Sequence, residues 1–388
     1  MDQLSLTPYQ AAKIAADVYE TRLVSIDSLI DRKLELGLKD LFQIDKSLQF
    51  NAETGISSYQ KLSGFGYIAP AVEDKAGEYL IVFRGTETGR DWVTDFNCGW
   101  TTGTGNHKVH TGFHNTYNIT KTDKPSNVPS RIIENYFTGK NPTRIHVIGH
   151  SLGGALANLA AEQLARMNVA DIRVYTFGAP RVGHRGFSDA LASAVGSERI
   201  YRVYHPADPV PMVPIWPYLH VPPGHGGYAI EPFSNHLVNP WSHKMVGSYL
   251  DKIGGTSWAG LRAAGSYVAS NGAIERWLSN VAMTALMGSA ALLSMIGAAL
   301  NWILEKCVTV GRVIGETVID GIASLLAAGA ELAIELKFYI ENLIRAIFRF
   351  LGRAIDATIK LTTAFLRWVL GLLFSAIAST ARRALELF

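Results

Sequence analysis

The sequence predicts an α/β fold with a mostly parallel central sheet, followed by an apolar, all-helical C-terminal region. Short apolar runs alternate with segments of helical periodicity, the alternation that builds a parallel sheet covered by helices. One of these runs ends in a glycine-flanked turn that leads into an Ala- and Leu-rich segment. All 11 histidines lie at or before His243. We therefore expect the chemistry in the first part of the chain and a different role for the rest.

The first predicted elements are a helix and two strands. Thr7 and Gln10 form a capping box, which begins a helix whose apolar periodicity continues through residue 19. Residues 64–69 and 78–83 are predicted as strands. The second strand is continuously apolar over residues 79–83, which is typical of a strand covered on both faces.

The strand–turn–helix that follows carries the strongest chemical signal. An apolar run over residues 145–148 leads into Gly149-His150-Ser151-Leu152-Gly153, a Gly-x-Ser-x-Gly nucleophile elbow. A tight turn exposes the Ser151 hydroxyl, and the flanking glycines avoid collision between strand and helix. The Leu152 N–H, at the start of the helix, is then an expected donor to an oxyanion.

The loop after residues 78–83 is expected to complete the oxyanion hole. Working groups of α/β sheets lie at the carboxyl ends of strands, so Thr86 is a candidate second donor. The alternative is that Thr86 only caps a short helix. Residues 89–96 are predicted to form that helix, with Trp92 and Phe96 on one face. This helix is interpreted either as a lid over an apolar cleft or as an ordinary surface helix.

A serine nucleophile needs a base and an acid that orients the base. Asp208 follows a predicted strand and lies between two prolines, which favours it over Asp171 and Asp189 as the acid. His243 begins an amphipathic segment and is the preferred base. The alternatives left open for the base are His205, His220, His225 and His236.

Together these segments resemble the class 3 lipases, the fungal-type family of α/β-hydrolases that also contains phospholipases A1. The resemblance covers residues 8–253, in family order. It is carried by Val82-Phe83-Arg84-Gly85-Thr86, Asp91-Trp92-Val93-Thr94-Asp95-Phe96, Val109-His110-Thr111-Gly112-Phe113, Gly149-His150-Ser151-Leu152-Gly153-Gly154, Thr176-Phe177-Gly178-Ala179-Pro180-Arg181-Val182-Gly183, Asp208-Pro209-Val210-Pro211, and His243 with Tyr249-Leu250.

The resemblance implies an α/β-hydrolase fold and a lipid-directed serine carboxylic-ester hydrolase, here expected to be a phospholipase A1. A triacylglycerol lipase is the alternative. It implies Ser151 as nucleophile, Asp208 as acid and His243 as base, with Thr86 and Leu152 as oxyanion donors and the helix over residues 90–96 as lid. No cofactor and no metal are expected. The spacing of 35 residues between Asp208 and His243 is short for the family.

The C-terminal region is expected to be a separate unit. Gly254-Gly255 divides an expected lipase domain, residues 1–253, from a helical domain, residues 256–388. Residues 278–304 carry no charge and are long enough to span a bilayer core. The following helices carry a narrow polar stripe. They are interpreted as membrane-associated or as a soluble bundle. In the membrane interpretation, the protein is alternatively a permeabilising toxin with a secondary lipase domain.

The architecture is also similar to that of antibacterial lipase effectors delivered by type VI secretion. This similarity implies a chaperone or an immunity protein as partner, besides a phospholipid or other lipid substrate and a membrane surface. The first residues lack a basic segment followed by an apolar one, so we expect no signal peptide, synthesis in the cytoplasm and release by a non-classical route. The net charge of +3, without a basic stripe, argues against nucleic acid as a partner.

Overall fold

The protein is described here from a computed structural model of its 388 residues. The structure describes residues 5–19, 41–44, 48–54, 61–72, 75–85, 99–103, 105–118, 128–224, 227–232, 236–264, 270–280, 287–308, 318–355 and 359–387, with the backbone alone for 49–54 and 61–65. Thr86, Trp92 and Phe96 therefore lie outside the described residues, as does His225.

A seven-stranded, mostly parallel sheet organises the described part of the chain. The strands are β1 (Gln49–Thr54), β2 (Lys61–Pro70), β3 (Glu78–Phe83), β4 (Trp100–Thr102), β5 (Lys108–His110), β6 (Arg144–His150), β7 (Asp171–Phe177), β8 (Ile200–Tyr204) and β9 (Tyr228–Ala229). The sheet order is β1-β2-β3-β6-β7-β8-β9, while β4 and β5 form a separate hairpin. β1, β2 and β3 pair antiparallel, and the sheet continues in parallel from β3 through β6, β7 and β8 to β9.

Helices cover both faces of this sheet and connect its strands. Those of the first part are α1 (Pro8–Asp17), α2 (Thr111–Asn118), α3 (Pro129–Phe137), α4 (Leu152–Met167), α5 (Arg185–Val195), α6 (Leu250–Ile253) and α7 (Trp258–Ala264). The capping box of α1 is present: the Gln10 N–H donates to Thr7 Oγ1, and the Thr7 N–H donates to Gln10 Oε1. The expected α/β-hydrolase fold class and the strands expected at residues 64–69 and 78–83 are confirmed.

Alternate side chains of β3 enter two different cores. Ile81 and Phe83 lie in one buried cluster with Leu156 of α4. Leu80 and Val82 lie in a second cluster with the buried residues of α1. Because the side chains of a strand alternate between the faces of its sheet, burial on both faces requires the continuous apolar run seen in the sequence.

The helical region begins on the sheet itself. Trp258 of α7 packs against Tyr201 of β8, with ring centroids 4.3 Å apart, and its Nε1–H donates to the Leu6 carbonyl at 2.8 Å. The remaining described helices are α8 (Asn271–Ser279), α9 (Ser289–Val308), α10 (Val318–Leu332), α11 (Ile334–Phe350) and α12 (Thr363–Leu385). Their buried side chains belong to the same continuous core as those of α4.

Two of these helices lie beside the loops that follow the sheet. α12 contacts the short 3-10 turns Val210–Met212 and Pro240–His243. At the start of α9, Ser289 Oγ accepts the Val238 N–H at 2.9 Å, and the Ala290 N–H donates to the His236 carbonyl at 3.1 Å. The C-terminal helices therefore support the segment that leads to His243.

By length and composition, α9 and α12 are the two described helices that are apolar enough to cross a membrane. In the folded chain, 56% of the most apolar window of α9 is buried, and 33% of that of α12. The exposed side of α12 carries Trp368 as well as Arg367, Ser375 and Ser379. The buried faces of both helices contribute to a core that the protein makes internally.

Candidate active site

The turn between β6 and α4 holds Ser151 in a strained conformation. Its backbone has φ of 58° and ψ of −129°, a combination that side-chain-bearing residues rarely adopt. The neighbouring glycines are required by close packing. A Cβ atom on Gly149 would lie 2.1 Å from the Gly153 carbonyl oxygen, and one on Gly153 would lie 2.3 Å from that of Phe83. The turn therefore presents the Ser151 hydroxyl where β3, β6 and α4 meet.

Ser151, His243 and Asp208 form a continuous chain of hydrogen bonds. His243 Nε2 lies 2.9 Å from Ser151 Oγ, and His243 Nδ1 lies 2.8 Å from Asp208 Oδ2. All three residues are buried. Because a carboxylate only accepts, Nδ1–H donates to Asp208 and leaves Nε2 to accept the serine proton. The first hydrogen bond joins residues 92 positions apart in the sequence, and the second joins residues 35 positions apart.

The Asp208 carboxylate has two further donors. The Val210 N–H donates to Oδ1 at 2.9 Å, and the Tyr249 hydroxyl donates to Oδ2 at 2.7 Å. Burial and the adjacent carboxylate raise the pKa of Tyr249 well above its usual value, so its proton stays on the oxygen. The same hydroxyl accepts the His205 N–H at 3.0 Å. Tyr249 therefore holds the same carboxylate oxygen that accepts His243 Nδ1–H.

The described alternative histidines are engaged elsewhere. His205 Nδ1 accepts the Ala207 N–H at 3.0 Å, and its Nε2 lies 3.2 Å from Glu231, which His236 also approaches. Burial lowers the pKa of His205 to about 4. For His220, burial and then the nearby arginines hold the pKa well below its usual value. These three rings are tied into other parts of the fold, whereas the His243 ring contacts the serine.

The alternative acids lie away from the serine. Asp171 is at the first position of β7, where it pairs with arginines that include Arg144 and Arg173. Asp189 lies within α5. The turn that carries Ser151 lies at the opposite, carboxyl end of the strands. Asp208 follows β8 at that same end.

The residues expected in the oxyanion hole are described in part. Leu152 is the first residue of α4, directly after Ser151, where backbone N–H groups have no partner within the helix. The loop that carries Thr86 is described only up to Gly85. A Cβ atom on Gly85 would lie 3.0 Å from Ser151 Cβ, so this loop begins in contact with the nucleophile. The roles expected for Thr86, Trp92 and Phe96 stay predictions.

Two residues beside the site have no role in the sequence analysis. Tyr249 is named there only among the residues that carry the family resemblance, and residue 19 only as the end of the predicted helix. Tyr19 Oη lies 2.7 Å from His150 Nδ1 and accepts the Gly85 N–H at 3.2 Å. No local pattern marks either hydroxyl, because their partners are brought close by folding alone.

A cavity of about 280 Å³ lies behind the acid, between Asp208 and the C-terminal helices. Arg181, Arg202 and His205 line one side, and residues of α9 and α12 line the other. Ser151 does not border it, so the cavity is separate from the nucleophile. Among the described residues no group of three or more His, Cys, Asp or Glu is arranged to hold a metal ion.

Comparisons with known proteins find similarity to the same family as the motifs. Residues 80–218 match the family model of class 3 lipases. A secreted mono- and diacylglycerol lipase of Fusarium solani is 34% identical over 179 residues, which cover 44% of this chain and 47% of the relative. Phospholipase A1-II 2 of rice is 26% identical over 216 residues, covering 45% of this chain and 50% of the relative. Over residues 80–218 the chain is therefore similar to class 3 lipases.

The chain spans about half the length of the curated relatives it matches. Among solved structures, the LIP2 lipase of Yarrowia lipolytica aligns with 59% of this chain and 80% of its own, at 24% identity and a TM-score of 0.45.

The expectation about localisation is wrong. The Fusarium relative and two further matches, from Malassezia globosa and Penicillium cyclopium, are described as secreted lipases. They point to a signal peptide and secretion rather than to cytoplasmic synthesis with non-classical release. From Ser5 onward the described residues belong to the folded domain: Leu6 is buried, and its N–H donates to the Tyr175 hydroxyl at 3.1 Å.

Proposed function

We propose that the protein is a serine carboxylic-ester hydrolase acting on glycerolipids. Ser151 is the nucleophile, His243 the general base and Asp208 the residue that orients it. The single observation that carries this proposal is the buried chain from Ser151 Oγ through the His243 ring to Asp208, at 2.9 and 2.8 Å. The similarity of residues 80–218 to class 3 lipases supports it.

The geometry suits acyl transfer in two steps. Ser151 attacks the ester carbonyl while its proton passes to His243 Nε2, and the imidazolium then donates that proton to the leaving alcohol. Asp208 stabilises the imidazolium from Nδ1. The Leu152 amide, with the expected Thr86 amide, receives the charge that develops on the carbonyl oxygen. Water then attacks the acyl-enzyme by the same path in reverse.

The proposed substrates are glycerolipids, with phospholipase A1 activity as the first expectation. The rice relative named as a phospholipase A1 supports this choice. The relatives named as mono- and diacylglycerol lipases support the alternative, hydrolysis of neutral acylglycerols. Both reactions use the same triad and differ in the group that leaves.

The surface beside the site suits a lipid aggregate. Leu237, Trp241 and Val246 flank His243 in the sequence and are exposed by 69%, 59% and 61%. Lys244 Nζ lies 4.3 Å from the Trp241 ring centroid, so a cation accompanies the apolar side chains. Exposed aromatic and basic side chains are those that bind membrane interfaces. We propose that this segment faces lipid, together with Trp92 and Phe96 of the expected lid.

The chain is proposed to contain a lipase domain at residues 1–253 and a helical domain at 256–388. The contacts of α9 and α12 with the segment before His243 suggest that the helical domain supports the lipase domain. Membrane insertion or permeabilisation by α9 and α12 rests on their length and hydropathy alone. An antibacterial effector role, with a chaperone or immunity protein, stays a prediction from architecture.

Fatty-acid release tests the proposal. The full chain is incubated with phosphatidylcholine vesicles labelled at the sn-1 or sn-2 acyl chain, and separately with diolein and triolein emulsions. We expect release that Ser151→Ala lowers by on the order of 10⁵-fold or more, with Ser188→Ala, at a buried serine of α5, as matched control. Release from sn-1 supports phospholipase A1, and release from glycerides alone supports the alternative. Full activity of Ser151→Ala overturns the proposal.

A further inference from the structure

Outside the triad, a second chain of hydrogen bonds joins the three segments that make up the site. The Gly85 N–H donates to Tyr19 Oη at 3.2 Å, and Tyr19 Oη lies 2.7 Å from His150 Nδ1. His150 Nε2 lies 2.9 Å from the carbonyl oxygen of His243. This series of hydrogen bonds thus starts at the loop after β3, passes through His150, the residue before Ser151, and ends on the backbone carbonyl of His243.

Every donor and acceptor in this chain has one consistent role. A carbonyl oxygen only accepts, so His150 carries its proton on Nε2 and donates it to His243. Complete burial, and then the nearby His243 ring, hold the pKa of His150 well below its usual value, so the ring is neutral. Nδ1 is therefore an acceptor for the Tyr19 O–H, and the Tyr19 oxygen remains free to accept from Gly85.

The neutrality of His150 also suits the proposed reaction. Its ring centroid lies 4.7 Å from that of His243, with the rings tilted by 31°. When His243 takes the serine proton it becomes a cation, and a second imidazolium at this distance would oppose that step. A neutral His150 leaves the base free to charge.

The fit around Tyr19 is close enough to constrain the loop. A Cβ atom on Gly85 would lie 2.3 Å from Tyr19 Oη and 3.1 Å from the His150 carbonyl oxygen. Glycine at this position therefore allows the loop to approach both the hydroxyl and the nucleophile elbow. Gly85 directly precedes Thr86, the expected oxyanion donor, so the position of Gly85 limits where that amide can lie.

We propose that Tyr19 is a positioning residue for the hydrolysis. Through its hydroxyl and the neutral His150 ring, it sets the start of the oxyanion loop and the backbone of His243 relative to Ser151. This inference rests on the proposed ester hydrolase function. A small displacement of either group from the reacting centre costs up to about 100-fold in rate, which sets the size of the expected effect.

Substitution of Tyr19 by Phe removes the hydroxyl and keeps the ring. On a soluble ester, p-nitrophenyl butyrate, we expect Tyr19→Phe to lower kcat by about 10- to 100-fold and to leave KM within about twofold, because the loss is in transition-state alignment. The matched control is Tyr175→Phe. The Tyr175 hydroxyl also bonds one backbone N–H, of Leu6, and one histidine nitrogen, of His146, but neither partner belongs to the candidate active site.

A double-mutant cycle tests whether Tyr19 acts through His150. His150→Phe leaves both the Tyr19 hydroxyl and the His243 carbonyl without their partner. If the chain acts as a unit, Tyr19→Phe combined with His150→Phe loses about as much kcat as the more severe single variant. A double loss equal to the product of the two single losses overturns the proposal.

The outcomes separate this inference from the proposed function. A wild-type chain without esterase activity defeats the function itself. An active wild type, an inactive Ser151→Ala and a Tyr19→Phe variant within twofold of wild-type kcat leave the function standing and overturn the role of Tyr19. So does an equal loss in Tyr175→Phe, because a buried tyrosine hydroxyl would then matter only for the fold.

Discussion

The orientation of the Asp208 carboxylate depends on donors outside the triad. One oxygen accepts the Val210 N–H, and the other accepts both His243 and the Tyr249 hydroxyl. Charged acceptors make strong hydrogen bonds, and several donors together hold a carboxylate at one angle. The hydrogen bond to this carboxylate sets the angle of the His243 ring. Tyr249 therefore affects the orientation of that ring through Asp208.

Substitution of Tyr249 by Phe is therefore expected to lower kcat by about tenfold, with KM little changed, because the imidazole loses alignment while the substrate surface is intact. Steady-state kinetics on a soluble ester measure both constants. Tyr201→Phe is the control, since the partner of the Tyr201 hydroxyl, 2.8 Å away, is Ser5 and not a residue of the triad. Equal kinetics in Tyr249→Phe and wild type would contradict this role.

Half-buried His184 makes the stability of the fold depend on pH. Burial, with a smaller contribution from Lys108, lowers the pKa of His184 to about 4. In the unfolded chain its pKa is about 6.5. Between these values the unfolded state binds a proton that the folded state does not, so stability falls as pH decreases from about 6.5 to 4.

Urea unfolding at pH 7 and at pH 5 measures this dependence. We expect the wild-type midpoint to be lower at pH 5, and His184→Phe to show a smaller decrease, because phenylalanine keeps the contacts with the Trp100 and Tyr218 rings but does not titrate. A variant with an unchanged pH dependence would exclude His184 as a source.

At the scale of elements, the nucleophile elbow is built on close backbone packing. The shortest approach of a hypothetical Gly153 Cβ is 2.3 Å, to the carbonyl oxygen of Phe83 in β3. Backbone atoms at the centre of a sheet move only if the sheet moves. By contrast, a Cβ atom on Gly297 in α9 meets nothing within 4 Å.

The same substitution should then have opposite effects at these two glycines. Gly153→Ala is expected to destabilise the protein by at least about 1–3 kcal/mol through overpacking, and to abolish most activity. Gly297→Ala is expected to stabilise it by up to about 1 kcal/mol through helix propensity. Urea unfolding gives both values. Destabilisation by Gly297→Ala would contradict the open space that the structure shows around Gly297.

The turn that carries His243 also presents apolar side chains to solvent. Trp241 is 59% exposed, and it lies two residues before the base. We expect Trp241→Ser to lower activity on phospholipid vesicles by about tenfold, in line with roughly 1.5–3 kcal/mol for burial of a large apolar side chain, and to leave activity on a soluble ester within twofold.

Trp368→Ser is the matched control, because Trp368 of α12 is 49% exposed. Equal losses on vesicles in both variants, or none in Trp241→Ser, would argue that lipid approaches another surface.

At the scale of the whole molecule, one buried core joins the sheet to the C-terminal helices. Leu156 of α4 and Leu343 of α11 belong to the same cluster, as does Leu373 of α12. Leu373 also borders the cavity next to Asp208. A continuous core suggests that the helices and the sheet unfold together.

Leu373→Ala is expected to cost about 2–5 kcal/mol, because it removes a fully buried side chain. The loss of ester hydrolysis and the loss of helical circular dichroism on heating should shift together to lower temperature. Leu332→Ala, at a side chain that is 60% exposed, should shift neither. Separate transitions for activity and helix content would show that the two regions fold independently.

Much of the sheet and the serine turn could be predicted because their causes are local. The run before Gly149 is apolar since β6 is buried throughout, and the glycines are close to Ser151 in sequence as well as in space. Asp208 could be preferred on the same ground, as it follows a strand. The choice of base was open, since five histidines follow Ser151 near or beyond Asp208 and sequence spacing does not say which ring returns to the serine.

The sequence by itself determined the alternation of strands and helices, the elbow and the set of candidate side chains, because steric and hydrophobic constraints act over a few neighbouring residues. Only the tertiary structure decided that His243 meets Ser151, that Tyr249 and Tyr19 approach from distant segments, and that α12 packs on the turn of His243 and α9 on the segment before it. Each of these contacts joins residues whose separation along the chain is unrelated to their distance in space, so folding has to bring them together before any pattern can reveal them.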